Sequence, residues 1–158
     1  MSVYTATFSA VAVSAAQDVF EIVAPAGSRI ATLGVTLGQY SDFGDAAAEI
    51  VGVTFVRGDT VSGSGGTTAT PANTSGLTGG KASAVTSVET NNTTVANTGG
   101  TVLLATAWNV QVPFEYRAGI YQDEIIKLEI GQRFCVRLTA PADAITLNGT
   151  LMFEELGQ

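Results

Sequence analysis

Histidine is absent from this chain, and cysteine occurs once, as Cys135. Without histidine the sequence lacks the usual general base near neutral pH and the commonest ligand of transition metals. A lone cysteine excludes an internal disulfide, and as a nucleophile it would want a base that no imidazole can supply. Basic residues are scarce as well: seven Lys and Arg stand against fourteen Asp and Glu, a formal net charge of −7. Nucleic-acid binding draws on a basic stripe that releases counterions from phosphates. The longest basic cluster here is Arg133 with Arg137, so no nucleic acid is expected as a partner. An acidic membrane surface is discounted for the same reason, and no apolar run approaches the ~20 residues that span a bilayer. Met1 to Phe8 lacks the positive n-region of a signal peptide and alternates instead of forming an apolar block, which points to synthesis in a cytoplasm and no membrane partner.

Charged residues make up 13% of the chain, against about a quarter in an average soluble domain. Gly, Thr, Ser and Ala take their place, a composition suited to β structure with small, closely packed surfaces. With 158 residues, a single domain is expected, large enough to bury roughly two-thirds of its unfolded surface around one core.

The patterned stretches have the period of strands. Arg29 to Gln39 places Ala31, Leu33, Val35 and Leu37 on one parity and Thr32, Gly34, Thr36 and Gly38 on the other, which no helix would do. After a turn over Tyr40 to Asp45, Glu49 to Arg57 repeats the pattern with Val51, Val53 and Phe55, and the two read as a central antiparallel pair. Val3 to Ala12 sets Tyr4, Ala6, Phe8, Ala10 and Ala12 against Thr5, Thr7 and Ser9. Phe20 and Ile22 oppose Glu21 in a second strand that Pro25-Ala26-Gly27 closes. Ala84 to Glu89 forms a short strand, and Thr101 to Val112 turns Val102, Leu104, Trp108, Val110 and Val112 inward, with Trp108 as a core anchor. Pro113 marks an edge or a strand end. Ile126 to Ile130 and Phe134 to Leu138 read as a hairpin across Gly131-Gln132. There Cys135 falls on the face opposite Phe134, beside Arg133 and Arg137, as a small packed residue. Ile145, Leu147, Leu151 and Phe153 make the last strand.

Two polar stretches interrupt these strands. Gly58 to Lys81 is rich in Gly, Ser and Thr, with few large apolar residues to offset its ordering entropy. It reads as a projecting loop, mobile until it orders against a neighbouring subunit. A second runs over about residues 90–100. Phe114 to Glu124 is aromatic but unpatterned and reads as a loop, and Tyr and Arg are types that interfaces favour. The candidate interaction surface is therefore Asn73, Asn91, Asn92, Tyr116, Arg117 and Tyr121. The fold expected is all-β, a single antiparallel sandwich of the jelly-roll type over residues 1–158, with another Greek-key sandwich as the alternative.

Other motifs lack their context. Asp42, Asp45 and Glu49 offer oxygen ligands at a spacing that could hold Ca²⁺, but the full EF-hand pattern is missing. The glycines of Gly63 to Gly66 do not lead from a strand into a helix, so they make no phosphate loop. Glycosylation sequons at Asn73, Asn91, Asn92 and Asn148 are coincidental in a Thr-rich chain. No metal, cofactor or catalytic residue is expected.

The opening Val3 to Val13, the central Gly38-Gln39-Tyr40-Ser41-Asp42-Phe43-Gly44-Asp45-Ala46, the stretch Trp108-Asn109-Val110-Gln111 and the closing Asn148 to Glu155 resemble small proteins encoded beside the capsid genes of tailed bacteriophages. Those are virion structural proteins of the capsid decoration, or cement, type. The resemblance covers nearly the whole length and implies a non-enzymatic protein that binds the outside of a phage head and stabilises it. Its partners would be the major capsid protein and further copies of itself as a homotrimer, and its place the virion surface. Smooth faces such as Thr5, Thr7 and Ser9, or Thr32, Gly34 and Thr36, would pack between copies. One rival is a carbohydrate-recognising sandwich of a tail or surface fibre, with Tyr116 and Tyr121 as its aromatics. The other is a small enzyme on a cupin-type jelly roll, a scaffold that mostly needs the histidines this chain lacks.

Overall fold

The computed structural model describes residues 2–40, 49–75, 81–119, 121 and 124–157. Among them are twelve strands and no α-helix: β1 (Ser2–Val13), β2 (Gln17–Val23), β3 (Arg29–Gln39), β4 (Ile50–Arg57), β5 (Thr67–Ala69), β6 (Ala72–Asn73), β7 (Val88–Asn92), β8 (Thr101–Asn109), β9 (Phe114–Arg117), β10 (Ile126–Leu128), β11 (Arg133–Leu138) and β12 (Ile145–Leu156). They form two six-stranded antiparallel sheets. The first runs β10-β3-β12-β1-β6, with β9 also on β3, and the second runs β5-β7-β2-β11-β4-β8. The chain changes sheet at eight of its eleven strand-to-strand steps, so both sheets contribute to one core, and the expected all-β sandwich is what the sequence builds.

That core is aromatic. Tyr4, Phe20, Phe55, Phe134 and Phe153 are fully buried. Phe55 sits among Tyr116, Phe134 and Phe114 at centroid distances of 4.9, 5.4 and 6.4 Å, all edge-to-face. Such pairs add about 0.5–1.5 kcal/mol each beyond area burial. Trp108 anchors the core as its pattern implies, and its Nε1 donates to the Val112 carbonyl at 2.6 Å. Along β12 the alternation is unbroken, with Ile145, Leu147, Leu151 and Phe153 inward.

Pairing differs from the sequence reading in four places. β3 pairs with β12, β9 and β10, whereas β4 pairs with β11 and β8, so these two strands belong to opposite sheets instead of forming a central pair. β10 and β11 likewise lie in different sheets. Gly131, at φ +79°, ties its turn back to Ala24 through N–H···O=C bonds in both directions, each 2.9 Å. A period of two cannot distinguish runs lying side by side from runs facing each other across a core. Phe114–Arg117 is a strand, since β3 offers it a ladder. β8 is the edge of the second sheet, so Val102 and Val112 are exposed and only Leu104, Trp108 and Val110 reach the core.

Bulges shift the inward parity within strands. In β1 the register slips between Phe8 and Val11, with Ala10 at φ +54°, so Val11 and Val13 turn inward while Ala10 and Ala12 are exposed. Asn148 Oδ1 fills the bulge, accepting from the Ala10 N–H at 2.7 Å and Ser9 Oγ at 3.1 Å. In β3 Leu33 is the inserted residue, leaving Ile30 and Thr32 inward before it and Val35 and Leu37 after it. Thr32 therefore does not belong to a smooth outer face; its Oγ1 is buried without a partner among the described residues.

Candidate functional site

The two sheets differ in what covers their outer faces. On the second sheet, β11 carries Arg133, Cys135 and Arg137 outward, and β2 carries Asp18 and Glu21 beside them. Asp18 and Glu21 are three residues apart and would fall on opposite faces of a regular strand. The register slip at Val136/Arg137 inserts Val19 and brings both acids onto the outer face. Their carboxylates then hold down the two polar loops.

Glu21 accepts hydrogen bonds from Arg133 Nε (2.6 Å), Ser62 Oγ (2.5 Å), the Gly63 N–H (2.9 Å) and Asn92 Nδ2 (3.1 Å). Asp18 accepts from Arg137 Nε (2.7 Å) and Nη2 (3.2 Å) and from the Ala96 N–H (2.6 Å). Asp59 joins Gly100 N–H (3.0 Å) to Arg137 Nη2 (3.3 Å). The loops also bridge each other at Val61–Asn97 and Ser64–Thr94. Contrary to the sequence expectation, residues 58–66 are thus not a projecting loop but a layer folded onto the second sheet, and the chain beyond them supplies β5, an edge of that sheet, and β6, which pairs with β1 of the first. The reason lies in β2: charged-group hydrogen bonds contribute about 1.5–3 kcal/mol each, an anchoring that the loop's own composition does not reveal.

Asp18, Glu21 and Cys135 bring their ligand atoms within 4.8 Å of one another, which invites a metal reading. The donor set does not fit one. Two guanidinium groups and four backbone or side-chain donors already occupy the carboxylate oxygens, and a cation would have to displace both arginines. Burial, followed by the charges of Asp18, Glu21 and Asp59, pushes the Cys135 thiol well above its ordinary range, so it stays protonated and packs with Val56 and Ala96. Desolvation likewise raises Asp18, opposed by its bonds to Arg137 and Ala96.

The first sheet has no such layer among the described residues. Its outer face is crossed by three rows: Thr7, Thr150, Thr36 and Glu115, then Thr5, Met152, Gly34 and Arg117, then Val3, Glu154, Ala31 and Lys127. Gly34 keeps the second row low, since a Cβ there would sit 3.1 Å from the Tyr116 carbonyl oxygen. An open apolar groove of about 290 Å³ results, lined by Leu33, Gly34, Tyr116, Ala118, Ile125 and Met152. Charge is confined to its border, where Arg117 pairs with Glu115.

The six candidate interaction residues separate accordingly. Asn91 and Asn92 are 6% and 2% exposed, which removes them from any contact surface; Asn92 binds Glu21 and Glu89, and Asn91 sits at φ +58° with its Oδ1 toward Gln17. Asn73 lies in β6, where its Oδ1 caps the Ser75 N–H at 2.8 Å. Tyr116 and Arg117 both border the groove, although the Tyr116 ring packs inward on Phe55. Tyr121 is exposed at 67%. The sequence reading missed Leu33, Ile125 and Met152, and only the bulge in β3 exposes the first. Of the acidic trio, Asp42 and Asp45 lie outside the described residues, and Glu49 accepts from the backbone of Ala142 and Asp143. Comparison with family models, with curated proteins and with solved structures gives no match.

Proposed function

We propose that this chain is a capsid decoration protein of a tailed bacteriophage, a non-enzymatic virion component that binds the outer surface of the head. The observation that carries this reading is the asymmetry of the sandwich. One sheet is sealed by its own loops, and the other presents an open, threonine-rich face whose charges lie to either side of an apolar groove. Such a face desolvates at little cost and suits packing against copies of the chain in a homotrimer and against the major capsid protein. The strand order is consistent with the jelly roll: β1, β12, β3 and β9/β10 face β2, β11, β4 and β8. The resemblance of the opening, central and closing segments to phage decoration proteins points the same way.

A carbohydrate-recognising module would display clustered exposed aromatics. Of its two tyrosines, Tyr116 turns its ring onto Phe55, leaving Tyr121. The test is co-sedimentation of the purified protein with undecorated heads, run beside a glycan array. Saturable pelleting with heads supports the decoration reading. Retention on glycans with no pelleting moves the chain to the fibre class.

A further inference from the structure

The sandwich has four edges, and three of them are blunted. β6 is two residues long, and β5 is three and stops before Pro71. β9 and β10 share the edge beside β3, with four and three residues, and carry Glu115, Arg117 and Lys127. Short strands, prolines and charges are the usual devices that keep sheet edges from pairing with other chains. β8 uses none of these three, and its one irregularity is a bulge at Leu103 opposite the Phe55–Val56 step, which leaves Leu104 to Asn109 in regular register. It is nine residues long, Thr101–Asn109, without a charge, a proline or a glycine, and among the described residues no strand pairs with its outer side. Its exposed side chains include Val102 at 57% and Leu103 at 37%. Ala105 and Ala107, exposed and small, border Thr54 and the glycine at Gly52 on the outer face.

We infer that β8 is a self-association edge: it pairs antiparallel with β8 of a second copy about a two-fold axis near Ala105, making one continuous twelve-stranded sheet. An edge strand leaves alternate N–H and C=O groups without partners, and antiparallel pairing of two identical edges satisfies them reciprocally, the isologous arrangement commonest in homo-oligomers. Charge favours a second copy as the occupant. The chain carries −7 overall, so two copies repel wherever their acids meet, yet from Thr90 to Phe114 there is no charged residue. Copies approaching along β8 therefore meet through the longest edge strand among the described residues, and one that carries no charge. Alanines at the axis allow close approach, and the valine and leucine toward the strand's start add apolar contact. This goes beyond the decoration reading and does not depend on it, since two-fold pairing joins copies whether or not they are also gathered in threes.

The test is sedimentation velocity of the full chain from about 1 to 100 µM, with amide hydrogen exchange over residues 101–109. Ala105→Lys places a charge at the axis, as natural edges do. The expected result is an assembly mass at least twofold lower than wild type, with faster exchange in β8 and an unchanged melting temperature. Ala105→Glu should behave the same alone, and mixing the Lys and Glu variants should restore the wild-type mass. If a charged variant fails to fold, exchange in the wild type decides: protected outward amides in β8 support pairing, and free exchange overturns it. Equal masses for wild type and both variants overturn it too. If Ala105→Lys keeps its mass yet no longer pellets with phage heads, the edge receives a strand of another protein and self-pairing is wrong.

Discussion

Replacing Arg137 with alanine removes the guanidinium that holds two buried carboxylates and the Ala96 carbonyl, the last at 2.5 Å. The Asp18 side chain is 0% exposed and that of Asp59 is 5%, so neither can recover its hydration without opening the loop above it. Breaking a buried pair from one side costs about 3–5 kcal/mol, a large share of the roughly 5–15 kcal/mol that stabilises a typical domain. For a chain of this size that corresponds to a fall in melting temperature of roughly 6 to 20 °C. Arg137→Lys keeps the charge but loses the two-pronged contact with Asp18, and should fall between wild type and alanine. The penalty should also depend on pH. Asp18 in the folded protein titrates above its ordinary 3.8, so between the unfolded and folded values the native state holds a proton that the unfolded chain has released. Its contribution to stability is accordingly largest below about pH 4 and declines as pH rises through the folded value. Arg137 is one of the groups that lowers that value, so alanine widens the window upward, and the cost of the substitution should be smaller at pH 4 than at pH 7. Urea unfolding at both pH values reads this out. A loss below 1 kcal/mol at pH 7, or the same loss at pH 4, would refute the assignment of this pair as the anchor of the polar layer.

Val35→Ala or Val53→Ala should cost roughly 1–3 kcal/mol in urea unfolding, from lost methylenes plus a cavity, while Thr36→Ala on the bare face should stay within about 0.5 kcal/mol. Both valines are fully buried, and equal effects at Val35 and Thr36 would contradict the register of β3. Cys135, buried with its thiol raised, should resist a thiol reagent in the native protein at pH 8 and react fully in urea; rapid native labelling would contradict its enclosure. Gly66→Ala should destabilise by about 1–3 kcal/mol, because its Cβ would lie 2.2 Å from the Thr90 carbonyl oxygen. Tolerance within 0.5 kcal/mol would return residues 63–66 to the status of a loose loop.

Strand content and core membership were legible wherever alternation ran unbroken, as along β12 and from Tyr4 to Phe8. They became illegible at bulges. Val19, Leu33 and the Ser9-Ala10 step each insert backbone that carries no sequence mark of its own, and each moves every later side chain to the other face. Pairing partners were illegible for a different reason. The inward residues of β3 and β4, or of β10 and β11, have the same pattern whether two strands share a sheet or oppose each other. The polar layer did leave a trace. Arg133, Cys135 and Arg137 alternate on a strand whose other face is apolar, and two arginines on a central strand require buried acids. Asp18 and Glu21 could have been named as those acids had the inserted Val19 been recognised. The groove could not be read, since it depends on Gly34, Leu33 and Met152 meeting across two strands.

The bare face of the first sheet is the centre of this account, and Met152→Glu tests it most directly. Met152 lines the groove and is 36% exposed, so a carboxylate there should leave the melting temperature within a few degrees of wild type. On the proposed decoration reading, purified wild-type protein should pellet saturably with undecorated phage heads, and Met152→Glu should lose at least tenfold in affinity. Unchanged pelleting of the folded variant would contradict the account and place the contact elsewhere on the molecule.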